Sequence, residues 1–96
     1  MSTTGGLTST KTPDDETKKI LNDIKPLFEK KLKKKFNKFN LHSYKTQVVS
    51  GTNYFIKVEL DNDEHTHLRI FKSLNNNIEL VSFKYPLIKK DPIEYF

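Results

Sequence analysis

The chain has 96 residues, 34% of them hydrophobic and 11% aromatic, which leaves room for one small domain with one core and excludes a second. It contains no cysteine, so disulfides and thiolate metal sites are excluded, and no apolar run approaches the length of a membrane span. The formal net charge of +5 is concentrated in Lys30, Lys31, Lys33, Lys34, Lys35 and Lys38, but these lysines spread around a helix without arginine or an aromatic platform, the pattern of a solvated face and not of a phosphate footprint.

Residues 1–12 are small and polar, with Gly5-Gly6 in their middle followed by Leu7. They are expected to form a flexible arm. They lack the basic start and apolar stretch of a secretory leader, as expected of a soluble, cytoplasmic protein. The pattern changes at Thr12, which suits a cap, with Pro13 in the first helical position and Asp14, Asp15 and Glu16 at the positive end of the helix dipole. The stripe Ile20, Ile24, Phe28, Leu32 and Phe36 recurs every four residues, with Leu21 and Leu27 alongside. Each such step drifts by roughly 40° around the axis, so the stripe winds and suits a twisted sheet wrapped over the helix. Pro26 predicts a kink and not a stop. The helix is expected to end near Asn37 to Asn40.

Leu41 to Val49 reads as a strand with Tyr44, Thr46 and Val48 on one side. Thr52 to Leu60 is a second, in which Tyr54, Ile56, Val58 and Leu60 alternate with Phe55, Lys57 and Glu59. Asp61 to Glu64 is a turn, Thr66 to Ser73 a third strand, and Asn75 to Asn77 another turn, since Asn tolerates positive φ. Ile78 to Tyr85 is the fourth strand. One helix followed by an antiparallel meander is an α+β domain. Its hairpin turns alternate between the two ends of the sheet, so the tips near Ser50 and at Asn75 to Asn77 share one end, which the arm can also reach.

The tip Gln47-Val48-Val49-Ser50-Gly51 sets two valines where turns ordinarily carry Gly, Asn, Asp, Ser or Pro. An apolar tip implies a partner that covers it. Elsewhere His65 and His67 lie near Asp61, Asp63 and Glu64, but the glycine of a calcium loop is missing and no further His or Cys completes a metal set. No serine sits in a nucleophile motif. Neither catalysis nor a cofactor has a foothold, so the chain is expected not to be an enzyme.

Gly5-Gly6-Leu7, the run Tyr44-Lys45-Thr46-Gln47-Val48-Val49-Ser50-Gly51-Thr52-Asn53-Tyr54, the stretch Ile56-Lys57-Val58, and His67-Leu68 with Phe71-Lys72-Ser73-Leu74 together resemble a stefin, the intracellular type 1 class of cystatins. The resemblance covers almost the whole chain and implies a single cystatin-like domain over residues 1–96, an N-terminal helix wrapped by a four- to five-stranded antiparallel sheet. It also implies reversible, tight-binding inhibition of papain-like cysteine peptidases of the cathepsin type by a three-part wedge. In that wedge Gly5 and Gly6 belong to the arm, Gln47, Val48, Val49, Ser50 and Gly51 form the first loop, and Leu74 with Asn75 opens the second. A monomer is implied, with a domain-swapped dimer as its alternative form. Neither nucleic acid nor membrane is expected as a partner; a basic module acting through the Lys30 to Lys38 face is the alternative. Three positions depart from the family pattern: Ser50 replaces the usual Ala, Leu74-Asn75 the usual Leu-Pro, and Ser2-Thr3-Thr4 bulkier apolar residues.

Overall fold

The computed structural model describes residues 6–96. Its helix, α1, spans Asp15–Leu32 and is capped by Asp14, two residues after the expected Thr12. Asp14 has an extended backbone and its carboxylate accepts the Thr17 amide at 2.7 Å. The Tyr44 hydroxyl donates to the other carboxylate oxygen. The Tyr44 bond first, and the Thr17 amide second, hold the Asp14 carboxyl below its ordinary value.

The helix runs through Pro26 and stops at Lys33, whose φ of 54° is left-handed, well before Asn37. The Lys33 amide donates to the Lys30 carbonyl at 3.3 Å and the Lys34 amide to Glu29 at 3.1 Å, closing the last turn. Periodicity overshot because Phe36 is buried as the stripe requires but reaches the core from a loop. The Glu29 carboxylate accepts the Phe36 amide at 2.8 Å, and the Phe36 ring stacks on Phe28 at 5.6 Å. Leu27, expected beside the stripe, is exposed.

Four strands follow: β1 over Phe39–Val49, β2 over Gly51–Leu60, β3 over His65–Lys72 and β4 over Ile78–Leu87. They pair antiparallel in the order β1-β2-β3-β4, so the sheet has four strands and no fifth among the described residues. A 3-10 turn at Asp61–Asp63 joins β2 to β3. Val48 lies opposite Thr52, Thr52 opposite Lys72, and Lys72 opposite Ile78, so the β1-β2 and β3-β4 tips stand at the same end.

One sheet face packs on the helix through Tyr54, Ile56, Val58, Leu60, Leu68 and Ile70, as the alternation predicts. The other face is covered too, because residues 88–96 fold back across it. Phe55, fully buried, meets the rings of Tyr95 and Phe96 at 5.6 and 5.7 Å. The Arg69 guanidinium lies over Phe55 and Tyr95 and donates to the Phe96 carbonyl at 2.5 Å. Lys57 donates to the Lys89 carbonyl at 2.8 Å, and Ile93 is buried. A strand face that alternation assigns to solvent thus carries part of the core.

His67 is sealed beneath this segment, its Nε2 without a partner among the described residues. Burial, with Lys57 and Lys84 nearby and only Asp91 opposing, pushes its pKa down to about 4. A histidine in the unfolded chain titrates near about 6.5, so as pH falls the unfolded state takes up this proton first. Stability contributed by neutral His67 is full above about pH 6.5 and is lost as pH falls towards about 4. Urea unfolding across that window should show stability declining with acid, and His67→Gln should flatten the decline relative to the parent. Equal slopes for the two proteins would show that His67 takes up its proton as readily in the folded protein as in the unfolded chain.

Candidate functional site

Ser50 alone separates β1 from β2, with Val49 opposite Gly51. Gly51 has φ of 116°, a region that side chains with a Cβ rarely adopt. Space forbids a Cβ as well, since it would lie 2.6 Å from the Lys72 carbonyl oxygen and 2.7 Å from Phe71 Cζ. The glycine therefore lets the first tip lie directly on the end of β3, which leads into the second hairpin.

Val48 is 73% exposed and Val49 38%, with Ser50 also exposed. Gln47 turns the other way. Only 4% exposed, its Oε1 accepts from the Asn53 side-chain amide at 2.8 Å, and Asn53 is its partner across the hairpin. A buried side-chain hydrogen bond at the base of a two-strand tip restricts its twist and splay. Of the five residues expected on the first loop, Gln47 presents no side-chain surface and serves as an internal brace. The signal for this was Asn53, which stands opposite Gln47 in any hairpin centred on Ser50.

The second tip, residues 73–77, raises Leu74 to 82% exposure with Asn75 exposed beside it. Ser73 holds this loop at both ends. Its amide donates to the Asn77 carbonyl at 2.9 Å, its carbonyl accepts the Asn76 amide at 3.0 Å, and its Oγ accepts the Asn77 amide at 3.1 Å. The Ser73 hydroxyl also bonds the Asn75 side chain, and Asn76 takes φ of 69°. Hydrogen bonds thus stiffen a loop that lacks proline, although the apolar surface of a proline is absent. Lys72 pairs with Glu16 at 3.3 Å and links the base of this tip to the start of α1.

Gly5 lies outside the described residues; Gly6 is exposed and Leu7 partly buried. The segment expected to be loose over residues 1–12 is tied to β1 from Thr8 to Lys11. Lys11 and Tyr44 exchange backbone hydrogen bonds at 2.7 and 3.2 Å, and the Thr8 amide donates to the Thr46 carbonyl at 2.9 Å. Gly6, Leu7, Thr8, Thr46 and Val48 line a shallow hollow of about 350 Å³, so the arm and the first tip adjoin. Three exposed, apolar or small-residue segments therefore project from one end of the sheet. They carry neither a nucleophile nor a charge cluster. Among the described residues no three His, Asp or Glu side chains are placed to hold a metal ion, and His65 and His67 are buried in the sheet. No described helix is long and apolar enough to cross a membrane.

Known proteins share this chain's pattern over nearly all of its length. A family model described as "Cystatin domain" matches residues 5–87. Cystatin-B from Oplegnathus fasciatus is 39% identical over 95 residues, covering 96% of this chain and 95% of that protein. Cystatin-A2 from Dictyostelium discoideum is 41% identical over 96 residues, covering 100% of both. Leukocyte cysteine proteinase inhibitor 1 from Sus scrofa is 36% identical over 95 residues, covering 96% of this chain and 92% of that protein.

The geometry at Gly51 sets a test of how the tip is held. Gly51→Ala should cost at least about 1–3 kcal/mol from its φ alone, more with the clash on Lys72, and lower the melting temperature by several degrees. Ser50→Ala, at an exposed position one residue away, should leave it within about 2 °C. Thermal unfolding of both variants checks this; an unshifted Gly51→Ala would mean that the tip can stand off from β3 without cost.

Proposed function

The chain belongs to the cystatin family, of the stefin type, and on that premise we propose that it is a reversible, tight-binding competitive inhibitor of papain-like cysteine peptidases. The observation that carries this reading is the pair Val48 and Val49, held out on a hairpin tip whose base is braced by Gln47 and Asn53. Burying one valine side chain contributes about 1.5 kcal/mol or more. A tip already fixed by its strands loses little entropy on docking, so more of that gain appears as affinity.

In this proposal Val48, Val49 and Ser50 enter the peptidase cleft, Gly51 permits the reversal, and Leu74 with Asn75 flanks them as the second contact. Gly5 and Gly6 let the arm pass close to the catalytic centre without a Cβ. The inhibitor reacts with nothing and prevents substrate from entering by occupying the cleft. Its active form is the monomer, because straightening the Val49 to Gly51 loop in a domain-swapped dimer would remove the tip. The cytoplasm is its proposed compartment.

Titration of papain and a cathepsin-L-like enzyme with the protein decides the matter: full inhibition at micromolar concentration or below is expected, and untouched activity at that level would end the proposal. Replacing both Val48 and Val49 with Asp should weaken inhibition at least about a hundredfold, from the loss of two buried valines. Because the two are exposed, the melting temperature should stay within a few degrees; a large fall would assign them to the core. Deleting residues 1–5 should speed dissociation from papain more than it slows association, since affinity changes within one interface appear mostly in the off-rate. Stopped-flow and displacement kinetics separate the two, and an unchanged off-rate would remove the arm from the wedge.

A further inference from the structure

We propose that Thr8 is a positioning residue for inhibition: its hydroxyl fixes the point at which the N-terminal arm leaves the body, beside Val48. This rests on the inhibitor reading above and adds to it a residue at the base of the arm, behind the glycines expected to enter the cleft.

The argument lies in the register. Lys11 and Tyr44 form a regular antiparallel pair, each donating its amide to the other's carbonyl. A regular continuation would bring Ser9 opposite Thr46, and the Ser9 carbonyl would accept the Thr46 amide. Thr8 stands there instead. Its amide still donates to the Thr46 carbonyl at 2.9 Å, but the slip of one residue removes the backbone acceptor for the Thr46 amide. Thr8 Oγ1 replaces it, accepting that amide at 3.0 Å. The same hydroxyl donates to the Ser9 carbonyl at 2.9 Å, which turns its hydrogen away and leaves a lone pair for Thr46. The β-hydroxyl of Thr8 thus closes the pairing at this slipped position, which an aliphatic side chain cannot do. Thr46 is itself buried, so losing the acceptor leaves a poorly solvated amide behind.

What the closure does follows from its neighbours. Leu7 and Gly6, immediately before Thr8, line the hollow whose other wall is Thr46 and Val48. With Thr8 clamped opposite Thr46, Leu7 and Gly6 leave the body beside Val48, two residues along β1 from the anchor. Without the hydroxyl, one bond, from the Thr8 amide to the Thr46 carbonyl, holds this point; each time it opens the next backbone anchor is Lys11, and the segment to be ordered on binding grows by three residues. A longer free segment lowers the effective concentration of the arm at its subsite and raises the ordering cost.

Thr8→Val keeps the shape and removes the hydroxyl; Thr8→Ser keeps the hydroxyl. Against papain, Thr8→Val should dissociate about threefold to tenfold faster with an association rate close to the parent's, and Thr8→Ser should behave as the parent. Thr46 amide hydrogen exchange should accelerate in Thr8→Val and not in Thr8→Ser, with the melting temperature lowered by no more than several degrees in Thr8→Val and unchanged in Thr8→Ser. In protein lacking residues 1–6, Thr and Val at position 8 should give the same off-rate, since little arm is left to position. An off-rate for Thr8→Val equal to the parent's, an equally fast Thr8→Ser, or an undiminished difference in the truncated protein would each overturn the inference. Nuclear Overhauser contacts between Leu7 and Val48, present in the parent and lost in Thr8→Val, read the placement without any peptidase. Their persistence in Thr8→Val overturns the inference, whereas a parent that leaves papain untouched overturns the inhibitor reading alone.

Discussion

Phe28 is the point at which the two outer strands of the sheet are drawn onto one helix. Fully buried, its ring meets Phe39 of β1 at 6.0 Å and Phe83 and Tyr85 of β4 at 5.1 and 6.2 Å. β1 and β4 are the two edges of the sheet, so one side chain is in contact with both. A flat sheet could not bring them together; the strands must curl around the helix axis, as the winding apolar stripe on α1 allows. Phe36, arriving after the helix has ended, closes the same cluster from below.

This closure decides where free apolar surface can exist. The helix fills the inner face of the sheet, and residues 88–96 occupy much of the outer face through Phe55, Arg69 and Lys57. The end of the sheet where the two hairpins turn stays uncovered, and it carries Leu74 and Val48, more exposed than Leu27, Val81, Ile88 or Tyr95 elsewhere. A small chain has little apolar area to spare, yet Val48 and Leu74 stand in solvent there. Polar groups close the chain around them: Gln47 with Asn53 buried beneath the first tip, Ser73 across the second at the surface, and Asp14 with Tyr44 where the helix begins. Each closes a hydrogen-bonding need locally, so neither tip has to fold inward to satisfy it.

Much of this was legible in the chain because it depends on local pattern. The four-residue stripe gave the helix and its buried face, and strict alternation in Tyr54 to Leu60 gave β2 and its inner side. Errors arose where burial came from partners distant in sequence. Phe36 obeyed the stripe and misled about the helix end, because a buried aromatic reached from a loop has the same spacing as one on a further turn. Leu27 fell next to the stripe and faces solvent. Gln47 sits inside a recognisable tip motif, yet its side chain belongs to the interior.

The sequence by itself determined the α+β class, the strand order, the two tips at one end, and the apolar character of Val48, Val49 and Leu74, since all of these follow from periodicity, turn chemistry and short connections. Only the tertiary structure decided which tip residues face outward, that Gly51 is required by the carbonyl of Lys72 as well as by its φ, that Thr8 closes a slipped pairing with β1, and that the final residues seal His67 beneath the sheet. Those outcomes are set by contacts between segments far apart in the chain, and hydrophobic pattern records how much each residue is to be buried but not by what.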